Sequence, residues 1–205
     1  MADGLPHHDP LAHLGLGRRI VATPGDAGVH LALLPPRTAV NLRGEATSEL
    51  RSIVAELAGC GLPLRPLDAA AKGSMAALWL GPDEWLITGP ADGVALTAKL
   101  QRAFRGKFVT ATDVSHALAV IRLAGPNAAD VLSKGCGLDL HPRVFKPGTV
   151  AGTLLARASV TLHQVAVSTY HLYIRRSYVD YLWRWLEDAG REFGVVGTDG
   201  SGGPI

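Results

Sequence analysis

Several groups of side chains in this 205-residue chain are of types that carry chemistry. Cys136 would act as a nucleophile if His116 or His141 took its proton, since thiolate attack needs a nearby base. No spacing in the sequence joins the three. Cys60 occupies the equivalent place earlier in the chain, so both cysteines are expected as small packing residues. His7, His8 and His13 offer imidazoles to a metal, but they stand among Gly and Pro without the fixed spacing of a ligand set, and a solvated tail is expected. Gly15-Leu16-Gly17 is half a dinucleotide fingerprint with no strand before it and Arg18-Arg19 after it, so it predicts no cofactor loop. Asp113-Val114-Ser115-His116 opens the apolar run 118–123. It reads either as a binding group or as side chains that tie down backbone amides at a strand entrance; the second reading is preferred. No catalytic, cofactor-binding or metal-ligating residue is assigned on these grounds.

The final helical segment, residues 178–193, points elsewhere. Val179, Leu182, Leu186 and Ala189 make one apolar stripe, and Tyr178, Tyr181 and Trp185 a second, with Trp183 beside them. A helix apolar over so much of its circumference is buried on more than one side. Either it lies at the centre of its own domain or its outer face meets another protein, where Trp and Tyr are enriched. Interface candidates are therefore Tyr181, Trp183 and Trp185, with His141 and Arg143 in a downstream loop of the second half.

The elements that must hold these groups show in an internal rhyme. Residues 39–64 and 119–140 each begin as an apolar strand ending in Gly (Gly44, Gly125) and continue as a helix. Both close on one tetrapeptide, Gly59-Cys60-Gly61-Leu62 and Gly135-Cys136-Gly137-Leu138, with the first helix longer by five residues. Leu50, Ile53, Val54 and Leu57 form an i, i+3, i+4, i+7 stripe, and Gly59 is expected to end that helix in the left-handed region. In the second copy Pro126 starts the helix and Gly135 is expected to stop it. Strands follow at 75–80 and 85–88 around a Pro82-Asp83 turn, and at 150–158, 159–167 and 170–174. A helix closes each half, at 94–104 and at 178–193 behind Ser177 as N-cap. The plan is β-α-β-β-α twice, an α+β fold. The expected organisation is a flexible tail at 1–19, halves at 20–110 and 111–193, and a flexible tail at 194–205.

Composition narrows the function. With 47% hydrophobic and 19% charged residues and a net charge of +2, the chain has neither the basic stripe of a nucleic-acid binder nor a block of like charge. No uninterrupted apolar run reaches the roughly 18 residues of a membrane span, and the first 19 residues do not read as a secretory signal. Two cysteines without a CxxC pair fit a reducing compartment, so a cytoplasmic location is expected.

Asp113-Val114-Ser115-His116, Leu123-Ala124-Gly125-Pro126-Asn127-Ala128 and the later Pro147-Gly148 resemble the opening of the glycine-cleavage T-protein family, the folate-binding aminomethyltransferases. A broader resemblance runs from about residue 11 to 193. Leu80-Gly81-Pro82-Asp83-Glu84-Trp85-Leu86, Asp113 to His116, Lys134-Gly135-Cys136-Gly137-Leu138-Asp139-Leu140-His141-Pro142-Arg143-Val144-Phe145 and Tyr173-Ile174-Arg175-Arg176-Ser177-Tyr178, in that order, are similar to the gamma subunits of heterotetrameric sarcosine oxidases. That resemblance implies a non-catalytic accessory subunit with a T-protein-like fold. Its partners would be alpha, beta and delta subunits, chiefly alpha. FAD, FMN, NAD and zinc would lie in the partner subunits, with tetrahydrofolate possible in the complex. The assembly would oxidise sarcosine to glycine and hydrogen peroxide and release the one-carbon unit as formaldehyde or 5,10-methylenetetrahydrofolate. The T-protein carries its catalytic aspartate on a strand after the Pro-Gly segment, and the corresponding stretch here, Ser159-Val160-Thr161-Leu162-His163-Gln164-Val165, has no carboxylate. The alternative is a stand-alone folate-binding protein of the T-protein type.

Overall fold

A computed structural model describes residues 10–15, 27–90 and 92–198. Along them run β1 (Val29–Leu33), β2 (Thr38–Gly44), α1 (Ser48–Ala58), β3 (Ala69–Lys72), β4 (Met75–Gly81), β5 (Glu84–Gly89), α2 (Gly93–Ala103) and β6 (Val109–Asp113). There follow β7 (Leu118–Ala124), α3 (Ala128–Ser133), β8 (Val150–Leu155), β9 (Ala158–Ala166), β10 (Thr169–Arg175), α4 (Val179–Gly190) and β11 (Val195–Thr198). The β-α-β-β-α order occurs twice, as expected for an α+β chain, with extra strands in each half. Among the described residues no helix is long and apolar enough to cross a membrane.

Local chemistry sets the element ends. The Thr47 hydroxyl accepts a hydrogen bond from the Leu50 amide at 3.2 Å to open α1, and Gly59, at φ 73°, ends it in the left-handed region. Asp92 caps α2 by accepting from the Ala95 amide at 3.1 Å. Pro82 and Asp83 turn β4 into β5, and the Asp83 carbonyl accepts from the Gly44 amide at 2.9 Å. α1 has 11 residues and α3 has 6, the difference read from the two copies.

Two helix ends differ from expectation. α3 closes on Lys134 with ordinary helical dihedrals, so Gly135 does not stop it in the left-handed region. A Cβ at Gly135 would come 2.6 Å from the Trp185 ring, and close approach of α4 is why glycine stands there. α4 is not capped by Ser177. The chain winds in through a 3-10 turn, Arg176–Tyr178, which places Tyr178 at the cap position without a side-chain bond.

Sheet A orders its strands β11-β1-β7-β10-β9-β8, and sheet B orders them β3-β4-β5-β2-β6. The first strand of each half crosses over: β1 pairs antiparallel with β7, and β6 pairs antiparallel with β2. One core packs sheet A under α3 and α4, with Leu31, Ile121, Leu123 and Leu172 buried there. A second packs sheet B under α1 and α2 around Trp85, whose Nε1–H donates to the Pro63 carbonyl at 2.8 Å. A third, smaller cluster of Ala39, Leu78, Leu86, Val120, Val150 and Tyr173 joins the inner faces of the two sheets. The layers run helices, sheet, sheet, helices.

Both expected tails need correction where they are described. Val195–Thr198 is strand β11, parallel to β1, because Val195 and Val196 bury apolar side chains at an edge that would otherwise be open. At the other end Leu11 is fully buried in the sheet A core, and His13 Nε2 lies 2.8 Å from Asp180 Oδ1 on α4. His7, His8, Leu16 and Gly17 lie outside the described residues.

Candidate functional site

The inner faces of the sheets do not close on each other completely, and among the described residues cavities open between them, three of which bear on the site. Tyr173, 5% exposed on β10, lines all three. The first, of about 220 Å³, is walled by Leu33, Pro35, Pro36, Leu118 and Val120. The second, of about 890 Å³, runs along the cleft between Asn41 and Arg43 of sheet B and Ser159 and Thr161 of sheet A. Glu84 is the carboxylate lining it: it accepts from Asn41 Nδ2 at 2.8 Å and lies 3.6 Å from the Arg43 guanidinium. The third, of about 360 Å³, is lined by Arg37, His163 and His171.

Strand alternation builds the third cavity. Successive side chains of a strand point to opposite faces, so Leu162, Leu172 and Ile174 enter the sheet A core while His163, His171 and Tyr173 face sheet B. In register, His163, His171 and Arg122 occupy one row across β9, β10 and β7. The imidazoles of His163 and His171 stand edge-on, centroids 6.4 Å apart at 86°. Burial draws His163 down to about 4. His171 falls to about 3, through burial first and then the positive charge of Arg37, His163 and Arg122. Both rings are neutral at pH 7. Burial raises the Tyr173 phenol, against the pull of Arg37 and the Thr88 hydroxyl. The row presents neutral donors and guanidinium charge, and no carboxylate stands where β9 faces the cavities at Ser159, Thr161 and His163. The polar alternation of β9 was the signal available in the sequence for this cluster.

The groups singled out from the sequence fall elsewhere. Asp113 and Ser115 form a clasp: Asp113 Oδ1 accepts from the Ser115 amide at 2.9 Å and from its hydroxyl at 2.5 Å, and Ser115 Oγ accepts from the Ala39 amide at 2.9 Å. This ties the end of β6 to β2, the backbone role preferred above. Asp113→Ala is expected to lower unfolding free energy by about 1–2 kcal/mol, since it frees a part-buried amide and hydroxyl. Urea denaturation measures it, and an unchanged midpoint would show the clasp to be dispensable. Cys60 is buried, and burial raises its thiol. Cys136 is half-buried with Sγ 3.7 Å from Thr153 Oγ1, and among the described residues no hydrogen bond joins it to His116 or His141.

The interface candidates separate. His141 and Arg143 are both exposed and held together: His141 Nδ1 accepts from the Arg143 amide at 3.2 Å, and Asp139 Oδ1 accepts from the His141 amide at 2.9 Å. Tyr181 is 38% exposed, and Trp185 is half-buried against Gly135. Trp183 is corrected. It is 0% exposed, because β11 lies over it, and a Cβ at Gly197 would come 3.0 Å from its ring.

A sequence model of the sarcosine oxidase, gamma subunit family matches residues 43–192. The chain is 34% identical to sarcosine oxidase subunit gamma of Corynebacterium sp. (strain U-96), over 91% of each chain. Its structure matches a chain of the heterotetrameric sarcosine oxidase from Corynebacterium sp. U-96, solved in complex with pyrrole 2-carboxylate. The TM-score is 0.82 at 32% identity, covering 97% of this chain and 99% of that one. The glycine cleavage system aminomethyltransferase T from Bartonella henselae shares the fold, with a TM-score of 0.66 at 15% identity over 92% of this chain and 58% of that one.

Proposed function

The chain belongs to the sarcosine oxidase gamma subunit family, and from that premise we propose that it is the accessory, non-catalytic gamma subunit of a heterotetrameric sarcosine oxidase. The observation that carries this is likeness over nearly the whole length, in sequence to the U-96 gamma subunit and in structure to a chain of the U-96 heterotetrameric enzyme. The site geometry supports it. The Asp113 group is spent on backbone bonds, and the Glu84 carboxylate of the wide cleft is already engaged by Asn41 and Arg43. The assembly oxidises sarcosine to glycine and hydrogen peroxide, releasing the one-carbon unit as formaldehyde or, with tetrahydrofolate, as 5,10-methylenetetrahydrofolate. Its FAD, FMN, NAD and zinc sit in the alpha, beta and delta subunits. This chain packs chiefly on alpha, through the exposed face of α4 and the loop of His141 and Arg143. Tyr181 is the aromatic anchor of that surface, as exposed aromatics and Arg are at protein interfaces.

Native mass spectrometry of the chain gently purified from its own cells is expected to show a four-component complex with bound flavin. Tyr181→Ala combined with Arg143→Ala is expected to weaken assembly by roughly tenfold or more while leaving the melting temperature of the isolated chain unchanged. A lone monomer without flavin, able to bind a reduced folate by itself, would instead favour a stand-alone folate-binding protein.

A further inference from the structure

The third cavity holds a positive charge, that of Arg37, which the chain leaves unbalanced. Arg37 enters it from the β1–β2 connection and His163 and His171 from β9 and β10, while Arg122 stands in register beside His171. Among the described residues no Asp or Glu lines it, and neither Arg37 nor Arg122 forms an ion pair. His163 is 5% exposed, yet its Nδ1 has no hydrogen-bond partner, and neither has the buried Nε of Arg37. Buried polar atoms are almost always paired, because an unpaired one has lost its water without replacement. Two of them beside one cavity, next to uncompensated cations, call for an acceptor bearing negative charge.

We propose that this cavity binds a small organic monocarboxylate. One guanidinium lines it, which matches one negative charge, and the planar fork of Arg suits a carboxylate. His163 and His171, neutral at physiological pH, supply further N–H donors. Beside the hydroxyls of Ser74, Thr88 and Tyr173, one side of the wall is small and apolar, with Ala69, Ala71, Ala76 and Met75 against which a short hydrocarbon body packs. The volume of about 360 Å³ suits a molecule of that size. The site belongs to this chain and stands apart from its role in assembly.

Calorimetric titration of the full chain at neutral pH and constant ionic strength, with sodium acetate, sodium benzoate and inorganic phosphate in turn, tests the assignment. Saturable carboxylate binding is expected, weakened by roughly tenfold or more in Arg37→Gln and in His171→Phe. If Arg37→Gln fails to fold by circular dichroism, Arg122→Gln carries the test, with a smaller loss expected because it acts through charge alone. Carboxylate binding that is undiminished in the variants overturns the proposal. So does the lack of any carboxylate binding at millimolar concentration, or a preference for phosphate over both carboxylates.

Discussion

Trp183→Ala is expected to lower the unfolding free energy of this chain by about 3–5 kcal/mol, as large-to-small changes at fully buried aromatics do. For a chain of this length that is a fall in melting temperature on the order of 10 °C. The indole is 0% exposed and lies between the sheet A core and β11. Removing it empties the space beneath a four-residue strand whose hold on β1 is short. β11 should then loosen, exposing Val29 and Val195 with it. Gly197→Val disturbs the same contact from the other side, driving a side chain into the ring. The control is Tyr181→Ala, whose effect should be far smaller, about 1 kcal/mol or less, because the residue lies on the surface at 38% exposure and outside the core. Differential scanning calorimetry of the three variants decides it. Equal melting temperatures for Trp183→Ala and wild type would mean that the strand does not cover the indole in solution.

Acid should unfold this protein early, and two histidines are the cause. In the unfolded chain an imidazole titrates near 6.5, but His163 in the folded protein does so at about 4 and His171 at about 3. Below pH 6.5 the unfolded chain therefore binds protons that the folded chain refuses. Stability is complete above that value and falls as the pH drops toward 4, with His171 contributing down to about 3. Each histidine accounts for a slope approaching 1.4 kcal/mol per pH unit, about 2.7 kcal/mol for the pair. Over two units this rivals the whole stability of an ordinary domain. The groups around the pair, Arg37, Arg122 and Tyr173, include no carboxylate to soften the penalty. Urea midpoints measured from pH 7.5 to pH 4.5, an experimental range chosen to span roughly this window, should fall steeply in wild type. They should fall much less in the double variant His163→Phe, His171→Phe. Parallel pH profiles for the two proteins would rule out the buried pair as the origin.

Much of the fold was legible because it is local. Thr47 and Gly59 bracket α1, Pro82-Asp83 makes the β4–β5 turn, and Asp113 with Ser115 closes on amides within reach. The GCGL rhyme exposed the repeated unit and the five-residue difference between its two helices. What failed depends on contacts between distant segments. Gly135 looks like Gly59 in sequence, but its role comes from Trp185, fifty residues later on α4. Trp183 stands beside the second apolar stripe of Tyr178, Tyr181 and Trp185, and only the arrival of Val195–Thr198 decides that it is core. That segment was read as a tail because Gly194 and the Gly-rich residues beyond hide a Val-Val pair. The His163, His171, Arg122 row is drawn from three strands, so no window of sequence contains it. The alternation of Ser159, Thr161, His163 and Val165 was visible, but what it faced was not.

The crossing of β1 into the sheet of β7, and of β6 into the sheet of β2, means that neither half of this chain is a module. As the chain leaves the ribosome, β1 has no partner until residues 118–124 have been made, so an apolar strand waits unpaired while all of sheet B is synthesised. Swapping one half for that of a relative would exchange strands of both sheets at once. Evolution can therefore reshape the outer surfaces of the two halves separately, but their inner strands only together.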